Sequence, residues 1–197
     1  QLAANLLMST ATQVMETEVE YSPRLQGAGL VNLMDAVAAG AYLTNPDAAE
    51  NRPKGEMGDD DRKQGVFTFP FEIHNMSEEV KQYTFDSSVM TADVKDGYMS
   101  NTDRGLQSKV VVSANGTVQT KVSVPANGSV RLEAKIVLTD ADKTFIDTNF
   151  ENGNYVEGYL YVNSMKEDDV DLSMPFLGFY GDWSASPIFD GVEGEAS

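Results

Sequence analysis

The feature that most constrains this chain is the run VFTFPFEIHN at residues 66–75, in which Phe67, Phe69, Phe71 and Ile73 alternate with Thr68, Pro70, Glu72 and His74. A period of two puts four large apolar side chains on one face of an extended strand and the polar ones on the other. Such a face must be covered by a second layer, so the segment commits the chain to packed β-structure. Pro70 lacks an N–H for the ladder and places the strand at an edge or a bulge. Further strand-like runs are QYTFDSSVM, LQSKVVVSA, TVQTKVSVP, SVRLEAKIVL, YVEGYLYVN and VDLSMPFLGFY. Asn115-Gly116 and Asn127-Gly128 fall between runs, where Asn-Gly favours tight hairpin turns. About seven short strands at this spacing predict a mainly β fold, an antiparallel β-sandwich. Its core is expected from Phe69, Phe71, Val110, Val112, Val122, Leu132, Ile136, Leu160, Leu172 and Phe176. A helical turn is expected at residues 140–147, with Thr139 as its N-cap.

Upstream the period changes. Leu2, Leu6, Thr10 and Val14 share a stripe at helical spacing, which predicts a first helix over residues 2–15. Pro23, Gly27 and Gly29 break it. Asn32 is a good N-cap with Asp35 three residues on, and Leu30, Met34, Val37, Ala38 and Ala41 form the stripe of a second helix that Gly40 would cap. Residues 45–64 carry two prolines, two glycines and many charges, including Asp59, Asp60 and Asp61, and read as a linker or surface loop.

Composition removes several functions. The net charge of −17, from 31 acidic and 14 basic residues, repels phosphate backbones and anionic lipid. It admits divalent cations, for which carboxylates are hard oxygen ligands. With no cysteine and one histidine, the chain can build no structural zinc site, iron–sulfur cluster or disulfide. No run of about 18 apolar residues occurs, so no membrane-inserted helix is expected. The amino terminus shows no basic leader, as expected of an internal piece.

Serine catalysis needs a base beside the nucleophile and a third group that orients the base. His74 is the only imidazole and lies on the polar face of its strand with Thr68 and Glu72, which reads as a surface histidine. No GxSxG elbow occurs, and no catalytic, cofactor-binding or metal-binding residue is assigned. Asp140, Asp142, Thr144, Ile146, Thr148 and Glu151 fall on the ligand positions of a calcium loop, but Phe145 stands where its sharp turn needs glycine. A capped, acid-rich helix start accounts for the same residues. Asn75-Met76-Ser77, Asn115-Gly116-Thr117 and Asn127-Gly128-Ser129 are formally glycosylation acceptors, although turn chemistry accounts for the Asn-Gly pairs. Tyr155, Tyr159 and Tyr161 with Tyr180 form an aromatic strip that reads as cross-strand packing or a ligand platform.

The phrases SPRLQGAGLVNLMDAVAAG (residues 22–40) and LLMSTAT (residues 6–12) resemble the last helices of a subtilisin-like serine protease domain. Residues 153–158 and 174–183, within FENGNYVEGYLYVNS and DLSMPFLGFYGDWSASPIFDG, resemble the fibronectin type III-like domain that follows the protease domain in cell-envelope subtilases, the group of the lactocepins and complement-cleaving peptidases. The resemblance implies residues 1–44 as the protease tail, a linker over 45–64, a fibronectin type III-like sandwich over 65–190 and a tail over 191–197. It also implies an extracellular, envelope- or wall-associated parent whose catalytic triad lies outside this chain. The partners implied are the protease domain of the same chain and that enzyme's protein substrate. Cut from that body, the two helix stripes would be uncovered and could pair in a homodimer. The alternative is a stand-alone adhesion or ligand-binding β-sandwich; a Gly-Thr-Ser motif encoded just before Gln1 would separate the two.

Overall fold

In the computed structural model, which describes residues 1–16 and 18–184, two sheets face each other across an apolar core. The first is five-stranded, in the order β1 (Ala41–Thr44), β3 (Val66–Asn75), β9 (Ser129–Val137), β6 (Val110–Ala114) and β7 (Thr117–Val118). The second is six-stranded, in the order β2 (Gly55–Asp60), β11 (Leu172–Tyr180), β10 (Asn154–Ser164), β4 (Lys81–Lys95) and β5 (Tyr98–Gly105). Its sixth strand, β8 (Lys121–Val124), pairs with the first residues of β4. Among the described residues there are also four α-helices, α1 (Leu2–Ser9), α2 (Pro23–Gln26), α3 (Leu33–Ala38) and α4 (Asp140–Asn149), and a single 3-10 turn at Ala49–Asn51.

The alternation of β3 is realised in full. Phe67, Phe69, Phe71 and Ile73 are buried, and Phe69 stacks on Phe176 of β11 at 5.7 Å between centroids. β9 answers with Leu132, Ala134 and Ile136 inward and the charged Arg131, Glu133 and Lys135 outward. Eight of the ten expected core residues are buried, while Val110 and Val122 are partly buried at the cluster's margin. Pro70 lies in an interior strand, but β1 pairs only with residues 72–75, so the side of β3 opposite β9 is unpaired at the proline.

β10 and β11 differ from β3. They are buried along nearly their whole length, because one face meets the core and the other meets the amino-terminal segment. Gly158 of β10 sits at φ +150°, and a Cβ there would lie 1.9 Å from the Ser88 carbonyl oxygen of β4. Only glycine fits that approach.

Several expectations are corrected. Residues 45–64 are not merely a linker: they contain β2, the one parallel partner in the sheet, paired with β11. The backbone makes that pairing, and the charges that suggest a loop are tolerated because β2 is an edge strand. Asn115-Gly116 does turn the β6–β7 hairpin, at φ 48° and 77°. Asn127-Gly128 does not make a hairpin, since it carries the chain from β8 in one sheet to β9 in the other. The first helix ends at Ser9 rather than residue 15, and Thr12 bridges Leu30 in extended form. The second runs only over α3, where Asn32 caps the Asp35 amide at 3.2 Å, and Ala41 lies in β1 rather than on a helical stripe. Thr139 caps α4 through the Asp142 amide at 3.1 Å. The expected tail over 191–197 lies outside the described residues.

Candidate functional site at the seam between the amino-terminal segment and the sandwich

The inward face of β10 carries Val156, Leu160 and Val162, so Tyr155, Glu157, Tyr159 and Tyr161 point the other way, under residues 1–30. Glu157 is 0% exposed. Its carboxylate accepts from Ser22 Oγ at 2.6 Å and from Arg24, through Nε at 3.0 and 3.1 Å and through Nη2 at 2.6 Å. A forked guanidinium on a carboxylate is the strongest kind of charge-assisted pair. The phrase Ser-Pro-Arg builds it locally. Ser22 caps α2 by accepting from the Arg24 amide at 3.0 Å, and Pro23 occupies the first helical position. Burial pulls the Arg24 guanidinium down, and the Glu157 carboxylate more than offsets that, so its pKa is raised. Arg24 also lies 4.3 Å from the centre of the Tyr155 ring.

The remaining contacts repeat the theme of strand side chains holding segment backbone or acids. The Tyr159 hydroxyl donates to the carbonyls of Gly27 (3.0 Å) and Tyr21 (3.2 Å). Glu20 accepts from the Tyr161 hydroxyl and from Ser88 Oγ. Gln13 Nε2 donates to Ala28 O and Ser173 Oγ, both at 2.8 Å. Ser9 Oγ accepts from the Leu43 amide at 2.9 Å, tying α1 to β1. Asp103 of β5 is buried beside the clamp; burial, then Glu157 and Glu16, push its carboxyl up to about 6, against the pull of Arg24 and the Ser22 amide.

The residues singled out from sequence fall elsewhere. His74 Nε2 lies 2.8 Å from Thr44 Oγ1 and 3.4 Å from Glu72 Oε2, and its ring stacks on Tyr42 at 4.8 Å. Burial lowers its pKa, opposed by Glu72. Because the hydroxyl and the carboxylate meet the same ring nitrogen, Glu72 does not orient the ring through Nδ1 as a triad acid would. Residues 140–149 are helical, not a loop: Asp142 is buried, accepting from the amides of Gln107 and Ser108 at 2.9 Å, while Asp140 reaches outward to Lys143 at 2.9 Å. Asn75 is buried, its Nδ2 donating to the carbonyls of Glu79, Val124 and Pro125, so that acceptor site is a structural bracket. Tyr159 and Tyr161 stack at 6.4 Å beneath the segment, and Tyr180 belongs to the core on the other face. Sequence reasoning missed the Glu157 clamp and Asp103. A signal existed for the first: a lone acid inside the apolar run YVEGYLYV, which a strand covered on both faces must pair.

An Fn3-like domain family matches residues 58–177 of this chain. The chain belongs to the Fn3-like domain family. The Fn3-like chain is 26% identical over 208 residues to the C5a peptidase of Streptococcus pyogenes, an alignment covering 99% of this chain and 16% of that protein. It is 30% identical over 194 residues to a PII-type proteinase of Lactococcus lactis subsp. cremoris, covering 95% of this chain and 9% of that protein. The chain thus spans a small share of each relative. Both alignments run across nearly the whole chain, so the amino-terminal segment and the Fn3-like sandwich occur together in those larger proteinases.

Proposed function

We propose that this chain is a non-catalytic part of an extracellular, envelope-associated, subtilisin-like serine endopeptidase. Residues 1–44 belong to the protease body, and the Fn3-like sandwich buttresses that body and helps present a substrate or partner to it. The observation that carries this reading is Glu157, a carboxylate without solvent exposure whose side-chain partners, Ser22 and Arg24, both come from the amino-terminal segment. Removing one member of such a pair leaves the other buried and uncompensated, which couples the segment's position to the sandwich. The likeness of the whole chain to parts of two proteinases supports placing both pieces in one such enzyme.

The test is Arg24→Met, alone and with Glu157→Gln, in the full parent proteinase. The expected result is a lower midpoint of thermal inactivation and a fall in kcat/KM for Arg24→Met, with partial recovery in the double variant. An unchanged midpoint and unchanged kcat/KM would overturn the reading. Residues 1–197 alone are expected to hydrolyse no casein or peptide, and serine-directed labelling within them together with turnover would contradict that.

A further inference from the structure

We propose that the cleft outside the β2–β11 edge is a binding site for an arginine side chain of a polypeptide partner. The site is built by a bulge. In β2, Gly55 and Glu56 pair with Phe176 and Leu177, and Asp59 and Asp60 pair with Phe179 and Tyr180, so Met57 and Gly58 together oppose the single residue Gly178. Gly58 takes the left-handed conformation the extra residue needs, at φ +67°. In an uninterrupted strand, residues three apart point to opposite faces. The bulge re-aims one of them, placing Glu56 and Asp59 together on the face shared by Leu177 and Phe179.

The cleft holds about 270 Å³, floored by Leu177 and Phe179 and walled by Tyr155 and Trp183. Trp183 is 61% exposed, yet its ring is held: the indole N–H donates to the Tyr155 hydroxyl at 2.8 Å, and its backbone N–H donates to Asp59 at 3.4 Å. An exposed indole fixed beside two carboxylates is made for a cation, since an indole is the aromatic face that attracts one most strongly. Among the described residues no cation pairs with Asp59, and Glu56 meets only the exposed Lys54, at 2.7 Å. A planar guanidinium fits better than a compact ammonium, because it stacks on rings while its N–H groups fork to carboxylates. The same Tyr155 ring already carries one guanidinium, that of Arg24. The net charge of −17 adds a long-range attraction for a basic partner. The site shares the Tyr155 ring with Arg24 of the clamp, but its carboxylates, Glu56 and Asp59, take no part in the Glu157 pair, and the proposal does not depend on the reading given above.

Trp183 is the chain's single tryptophan, so its emission reports occupancy directly. Residues 1–197 would be titrated at low salt with Nα-acetyl-arginine amide and, separately, with Nα-acetyl-norleucine amide. The expected result is a saturable change of emission with the arginine probe alone, weakened by added salt. Glu56→Gln with Asp59→Asn, both at exposed positions, should reduce affinity about fivefold without moving the urea midpoint, and Trp183→Leu, read by calorimetry, about three- to thirtyfold. An equal response to both probes, no saturable response, or full affinity in the acid-to-amide double variant would overturn the proposal.

Discussion

At the scale of single residues, the chain's polar chemistry is concentrated where the sandwich meets its amino-terminal segment. Arg24→Met strands the Glu157 carboxylate; because the Arg24 side chain is 36% exposed, the loss should fall below the roughly 3–5 kcal/mol of a fully buried pair, read by urea unfolding. Asp103 makes a prediction about pH. Its folded carboxyl titrates at about 6, above its ordinary value, so the folded state holds more protons than the unfolded one between those two pH values. The stability it contributes is fully present below the ordinary carboxylate range and is lost as pH rises through about 6. His74, held below its ordinary value, contributes the opposite slope near neutrality. The quantity to measure is therefore the difference between wild type and Asp103→Asn across pH 4–7, which should shrink toward the acid end if the asparagine mimics the protonated carboxyl. Among apolar residues, Phe71→Ala should cost about 3–5 kcal/mol, since Phe71 is fully buried and packs edge-on against Phe85.

At the scale of elements, the caps and turns are separately testable. Thr139→Ala removes the α4 cap and should cost about 1 kcal/mol, checked by thermal unfolding. How well an element could be read from sequence depended on what stabilises it. β3 and β9 were plain because alternation alone determines their faces, and α4 was plain because Thr139 announces it. The sandwich class was plain for the same reason, and the proteinase kinship rested on the phrases at Ser22–Gly40, Gly153–Gly158 and Met174–Trp183, the second of which ends at the close approach of β10 to β4 at Gly158. β2 was hidden because an edge strand held by backbone bonds and rimmed with acids has the composition of a loop. The shortened first helix was hidden because Thr10 and Val14 continue the helical spacing of Leu2 and Leu6 while the chain extends to meet Leu30 and Gln26. The clamp was only half visible: Glu157 stands out in its strand, but its partners lie more than 130 residues away and only the fold brings them together.

At the scale of the whole molecule, the segment that the clamp holds down still presents an apolar surface. Leu25, Leu30, Val31, Leu33, Met34 and Val37 are each between 64% and 80% exposed. So many large exposed apolar side chains within thirteen residues are uncommon on a monomer and suit a surface covered by more protein. Residues 1–197 in isolation are expected to self-associate through it in light scattering, and Met34→Asp with Val37→Lys is expected to return them to monomers. Truncation at Arg62 is no substitute, because it would strip β1 and β2 from the two sheets. The parallel pairing of β2 with β11 also has a mechanical meaning. Once residues 1–54 are drawn out, tension reaches the first residue of β2 and leaves by the last residue of β11. Two parallel strands pulled from opposite ends slide along their length, so their bonds share the load instead of opening one by one. The strand that looked like a tether is where the sandwich would resist being stretched.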